Sequence, residues 1–359
     1  MATSRLIETS HFTAESLRLL ALAHALAPAY ARPGVVAVLA AGSAALGMAT
    51  VGSDLDLVVF DAGVSGCHEE TSVIDETPVS VIRCEPDYPL DVDNPSLFLW
   101  KYREAARLAA GVAVHDPQGW FAVRRERLRR LCFTPSMAAE YTRAAKVHLA
   151  VAVRWSHDAP VKSALSLQSA LMLGLCPLLH SPLVPAGHHY SKPKWETRTL
   201  RALPLAGSWE AYVKSHGLDL WSPAAARRAQ QALETLRWRT ADTSAVLQSA
   251  EGRLVDQRVA QFQQDADDRL RCGDVEAAAA PLRFAAFELA WLAAVRSGVD
   301  YDGASSAPAL FARIGLEETF VEAAFLGWAD AARVTDAARS VGEVIAGAAQ
   351  ATAPLYATA

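Results

Sequence analysis

Cysteine is scarce and unpatterned in this sequence. Cys67, Cys84, Cys132, Cys176 and Cys272 are five among 359 residues, odd in number and without any C-x-x-C spacing. That set gives no zinc site and suits reduced thiols in a cytoplasm. An excess of positive charge is missing too. The chain has 34 Lys+Arg against 39 Asp+Glu, a net charge of −5 and a pI near 6.1. This balance argues against an extended nucleic-acid footprint, but not against a small nucleotide in a pocket. No basic-then-apolar leader opens the chain, and charged residues are read as interrupting every long apolar stretch, so neither a signal peptide nor a membrane span is expected. The expectation is a soluble cytoplasmic protein of two or three domains.

What is present divides in two. The first third reads as mixed α/β. A helix is expected over 13–31, with Pro28 at its end, then the apolar strand "VVAVLAA", a short Ala-rich helix after Gly42-Ser43, and the strand "DLDLVVF". Residues 71–84 suggest two strands around a turn at Asp75 to Pro78, followed by a helix near 96–110, a short strand "GVAVHDP" and an Arg-rich helix over 119–131. From Phe133-Thr134-Pro135 onward helical patterns take over, at 136–157, 161–179, 223–250, 254–271, 274–297 and 316–349, and the Ala-rich tail 343–359 reads as a fraying helix end. The fold class expected is therefore α+β. A catalytic domain would span 1–132 and an α-helical domain 133–359, the latter divisible into halves 133–236 and 237–359.

The most informative stretch is "GSAALGMATVGSDLDLVVF", residues 42–60. Strand side chains alternate, so Asp54 and Asp56 should share one face while Leu55, Leu57 and Val59 take the other. Two like charges about 6 Å apart repel by roughly 3 kcal/mol at an effective dielectric near 20. A divalent cation would offset that repulsion. Upstream, Gly42 allows backbone to approach a phosphate closely, and Ser43 supplies a hydroxyl at a helix start. Magnesium takes hard carboxylate oxygens and completes its octahedron with water and substrate phosphates. The stretch thus points to magnesium carried in with a nucleoside triphosphate.

Gly42, Ser43, Ala45, Gly47, Asp54 and Asp56, standing between two strands, resemble the nucleotidyltransferase superfamily that includes DNA polymerase beta. The likeness covers about residues 30–131 and is nearest to the small-molecule members of the aminoglycoside nucleotidyltransferase type. It implies Mg2+ (or Mn2+) held by Asp54 and Asp56, and ATP or another NTP as co-substrate. It also implies a small-molecule acceptor, and a homodimer is compatible with it because several relatives pair. Gly42, Ser43 and Ser53 would line the nucleotide. "YSKPKW" is similar to a family segment whose lysine reaches the nucleotide phosphates, which implies that role for Lys194, with Lys192 as the substitute.

The chain departs from that family in two places. A third carboxylate usually follows on the strand after the D-x-D, as metal ligand or general base, and here the position falls on Ser80. Leu46 stands where relatives often carry Arg. Asp75, Glu76 or Glu196 could replace the missing acid, and an already ionised acceptor would need none. Two alternatives therefore stand beside the enzyme: a catalytically impaired nucleotide-binding module, and an adenylyltransferase acting on a protein or RNA. His188-His189 and the cluster "RRERLRR" at 124–130 read as surface features rather than as metal or phosphate sites.

Overall fold

The structure, a computed structural model, describes residues 12–50, 53–89, 104–105, 107–132, 134–181, 183–184, 196–241, 250–297, 307–326 and 330–356. The architecture is α+β. Its two compact units are residues 1–137 with 180–191, and 138–179 with 192–359.

Helix α1 (Ala14–Tyr30) opens the first unit. Thr13 caps it, accepting from the Ser16 backbone N–H at 3.1 Å, as a threonine at that position does. The same hydroxyl donates to the Ala49 carbonyl at 2.7 Å, and Ser16 Oγ accepts from the Ala49 N–H at 2.8 Å. The start of α1 is thereby tied to the loop that carries the glycine-serine motif. β1 (Val35–Ala41), the single-turn α2 (Gly42–Ala45) and β2 (Leu55–Asp61) follow. Next come β3 (Cys67–Ile74), β4 (Thr77–Cys84), β5 (Val112–His115) and α3 (Trp120–Cys132).

The strands form one mixed sheet in the order β3-β4-β2-β1-β5, with β2 and β4 parallel and the other neighbours antiparallel. β1 is apolar throughout because both of its faces are covered. Val38 and Ala40, with Leu57, Val59 and Val81, pack on Leu19 and Ala23 of α1. Leu39 and Ala41, with Val58 and Phe60, pack on Leu108, Phe121 and Leu128. Each large apolar side chain buried this way contributes about 1.5–3 kcal/mol. β3 is an edge strand, and seven of its eight residues are exposed.

The hairpin turn is shorter than expected. It comprises Asp75 and Glu76 alone, with φ of 47° and 62°, the left-handed pair that a two-residue hairpin turn demands. Pro78 belongs to β4, ahead of the Val79–Cys84 segment that pairs with β2, so its missing N–H removes no bond to that strand. Of the helix expected over 96–110, residues 104–105 and 107–110 are described, helical through 109 with a turn at 110.

Beyond β5 every described element is helical. These are α4 (Pro135–Trp155), α5 (Pro160–Leu179), α6 (Glu196–Ala202), α7 (Ser208–His216) and α8 (Pro223–Ala241). They are followed by α9 (Ala250–Arg271), α10 (Val275–Ser297), α11 (Ala307–Arg313), α12 (Glu317–Phe325) and α13 (Ala331–Tyr356). Within the second unit α13 packs on α5 and α7, while α10 packs on α8, α9, α11 and α12. Helices from 133–236 and from 237–359 therefore mix in each group.

Two expectations need correction. The helix over 316–349 is two helices, because Leu326 adopts a left-handed φ of 49° and stops α12. The Ala-rich tail is the end of a helix, as read: α13 continues to Tyr356 with Pro354 in its last turn, and 357–359 lie outside the described residues. Charged residues do not interrupt every long apolar stretch, since Pro160–Leu179 contains Lys162 alone. That helix and Val275–Ala294 are long and apolar enough to cross a membrane, yet 56% and 78% of their apolar stretches are buried within the protein. The segment 223–250 reads as α8 up to Ala241, and 242–249 lie outside the described residues.

Candidate functional site

The site is built where β1 ends and β2 begins. Ala41 pairs with Asp56 across the two strands, so the turn leaving β1 at Gly42 lies against the Asp56 side chain. Gly42 has φ 62°, and a β-carbon placed on it would lie 2.0 Å from Asp56 Oδ2. Only glycine leaves room for that carboxylate. Gly47 closes the same loop with φ 71°, and a β-carbon there would strike the Phe12 ring at 2.5 Å.

Burial alternates along the carboxylate pair as a strand requires: Leu55 and Leu57 are buried, while Asp54, just ahead of β2, and Asp56, within it, are half-buried. Ser43 is buried at 2% exposure, and its hydroxyl has no hydrogen-bond partner. An orphaned buried hydroxyl costs roughly 1–3 kcal/mol, which a ligand oxygen would relieve. The helix expected to present its N-terminus there is only one turn, four residues long, too short for a sizeable dipole. Ser53 is buried, and its Oγ accepts from the Thr50 N–H at 2.9 Å, a role internal to the loop.

Two neighbours were not foreseen. Arg107 lies on the face of the sheet that bears Asp56, where it is salt-bridged to Glu104. Burial works against its charge, but the Glu104 hydrogen bond and charge outweigh this, with Asp56 adding to them, and hold the guanidinium pKa above the ordinary arginine value. Part of the positive potential assigned to a bound cation is thus supplied by the chain.

The second neighbour is Glu69. Ser80 pairs with Asp56 across β2 and β4, and its Oγ donates to Glu69 Oε1 at 2.5 Å. Asp75 and Glu76, expected as substitute acids, occupy the hairpin turn, roughly 13 Å along the strand from Ser80 at about 3.3 Å per residue. Glu196 opens α6. Lys194, Lys192 and His188-His189 lie outside the described residues.

Among the described residues no group of three His, Cys, Asp or Glu is placed to hold a metal ion. Two carboxylates, a backbone cradle at Gly42 and an orphaned hydroxyl at Ser43 fit a hard cation that arrives with phosphate oxygens of its own. They do not fit a metal caged by protein alone.

No protein-family model matches the sequence, and neither does any curated protein. Among solved structures the chain is similar to a nucleotidyltransferase-like protein from Exiguobacterium sibiricum 255-15, at 13% identity and a TM-score of 0.31. The match spans 54% of this chain and 66% of that protein, just under two thirds of its length. Likeness this loose transfers no activity.

Proposed function

We propose that the protein is a magnesium-dependent nucleotidyltransferase that moves a nucleoside monophosphate, AMP from ATP in the first instance, onto an oxygen of a small molecule and releases pyrophosphate. The observation that carries this reading is the close approach of the Asp56 carboxylate to the Gly42 turn, beside the orphaned Ser43 hydroxyl. Asp54 and Asp56 would hold the cation, which neutralises phosphate charge and polarises the reacting phosphoryl group. Gly42 brings backbone against the phosphate chain, and Ser43 donates its hydroxyl to a phosphate oxygen. Lys194, placed by resemblance alone, would steady the charge that develops on pyrophosphate.

Calorimetric titration of ATP with magnesium tests the reading. Wild type should bind, and Asp54→Asn and Asp56→Asn should each lose most of the affinity. Equal affinities in all three proteins would remove its basis.

One observation favours a second reading. The strand position that pairs with Asp56 carries Ser80 rather than a carboxylate, as expected of a nucleotide-binding module without turnover. Such a module would bind ATP with magnesium and release no pyrophosphate with any acceptor.

A further inference from the structure

Ser80 cannot remove a proton near neutral pH by itself, but it is not alone. Its hydroxyl is buried and donates to Glu69, on the exposed edge strand. The sheet register explains the meeting. Asp56 lies opposite Ser80, and Ser80 lies opposite Thr71. Glu69, two residues before Thr71, projects from the same face and reaches Ser80 along the diagonal that long side chains span. With its proton turned toward Glu69, Ser80 Oγ keeps a lone pair for a group arriving beside Asp56.

We propose that Ser80 and Glu69 act as a two-residue base: Ser80 touches the acceptor, and Glu69, acting through it, takes up the proton. The proposal rests on the nucleotidyl-transfer reading above and names the acceptor class, an un-ionised alcohol. In the step, the acceptor O–H bond breaks and its proton passes to Ser80 Oγ while the Ser80 proton passes to Glu69. The acceptor oxygen forms a bond to the α-phosphorus. The bond from that phosphorus to its bridging oxygen breaks, and the electron pair leaves with pyrophosphate. The carboxylate ends as a carboxylic acid, so atoms and charge balance. A carboxylate or phosphate acceptor would bring no proton and leave this pair idle. Glu69 forms no three-ligand group with Asp54 and Asp56, which keeps proton transfer apart from cation binding.

The test uses the full chain with ATP, magnesium and a panel of water, glycerol, a hexose and an inositol. Pyrophosphate release is followed at fixed pH, and ATP affinity is measured by calorimetry. Glu69→Gln should lower kcat by about 10²- to 10⁴-fold, the usual contribution of a general base. It should also leave ATP affinity within about twofold of wild type. Adding Ser80→Asp to Glu69→Gln should restore turnover by supplying a carboxylate directly. An unchanged kcat in Glu69→Gln, or no recovery in the double variant, would overturn the inference. So would ATP binding by wild type without pyrophosphate release from any member of the panel, which leaves the nucleotide site standing. Failure of wild type to bind ATP with magnesium would overturn both this inference and the reading beneath it.

Discussion

Asp56 Oδ2 occupies the space that a β-carbon on Gly42 would need, with only 2.0 Å between the two positions. A backbone turn and a strand carboxylate are thus in contact, and any side chain at position 42 would have to displace the carboxylate.

Gly42→Ala should separate folding from binding. The left-handed φ of 62° costs an L-residue about 1–2 kcal/mol, which a two-unit protein of this size survives. The new methyl group must also push the Asp56 carboxylate aside. Thermal unfolding should show a folded protein with a lowered midpoint, while calorimetry shows magnesium-dependent ATP affinity reduced on the order of tenfold or more. Wild-type affinity in this variant would mean that Asp56 takes no part in the site.

Ser43→Ala should behave in the opposite sense for stability. Removing a buried hydroxyl that has no partner relieves a desolvation cost, so the apo protein should be as stable as wild type or more so, by up to about 1 kcal/mol. A hydrogen bond to a charged phosphate contributes roughly 1.5–3 kcal/mol, so ATP should bind about 10- to 100-fold more weakly. Denaturant unfolding and calorimetry on the same preparation check both halves. A destabilised variant with intact binding would make Ser43 purely structural.

The second unit should be acid-sensitive through His216. This imidazole is fully buried, and desolvation, with the Arg283 charge adding to it, holds its pKa well below the ordinary 6.5 although the Tyr212 carbonyl pulls the other way. Folded protein therefore keeps His216 neutral, whereas the unfolded chain protonates it below 6.5. Stability is intact above that pH and falls as the pH drops below it, by up to about 1.4 kcal/mol per unit, until the depressed folded value is reached. Urea midpoints at pH 7.5 and 5.0 should diverge in wild type and converge in His216→Gln. Equal divergence in both would assign the acid sensitivity elsewhere.

The glycine-serine turn and the aspartate pair are legible in sequence because each depends on local spacing and one strand period. Arg107 and Glu104 are not, since nothing in a helix near 96–110 says which sheet face it will cover. Glu69 falls between these cases. Its meeting with Ser80 follows from register, and register follows from the turn. A turn read across Asp75 to Pro78 gives no such pairing, whereas the two-residue turn at Asp75 and Glu76 sets Thr71 opposite Ser80 and brings Glu69 alongside. Asp75 was the available signal, since aspartate tolerates positive φ, whereas Glu76 gives none. Leu326 itself gives no sign of the break, because leucine is an ordinary helix former, but Gly327 directly after it in the sequence is a helix-stop signal that the reading over 316–349 passed over.

The exposed rim formed by β3 has a bearing on self-association. An open strand offers its unpaired backbone groups to any second copy that could lengthen the sheet. Here neighbouring glutamates point to opposite sides of that rim, Glu69 to one and Glu70 to the other. A strand added by another copy of the chain would bring its own acidic pair against them on both surfaces, so like-charge repulsion opposes fibre-like growth of the sheet.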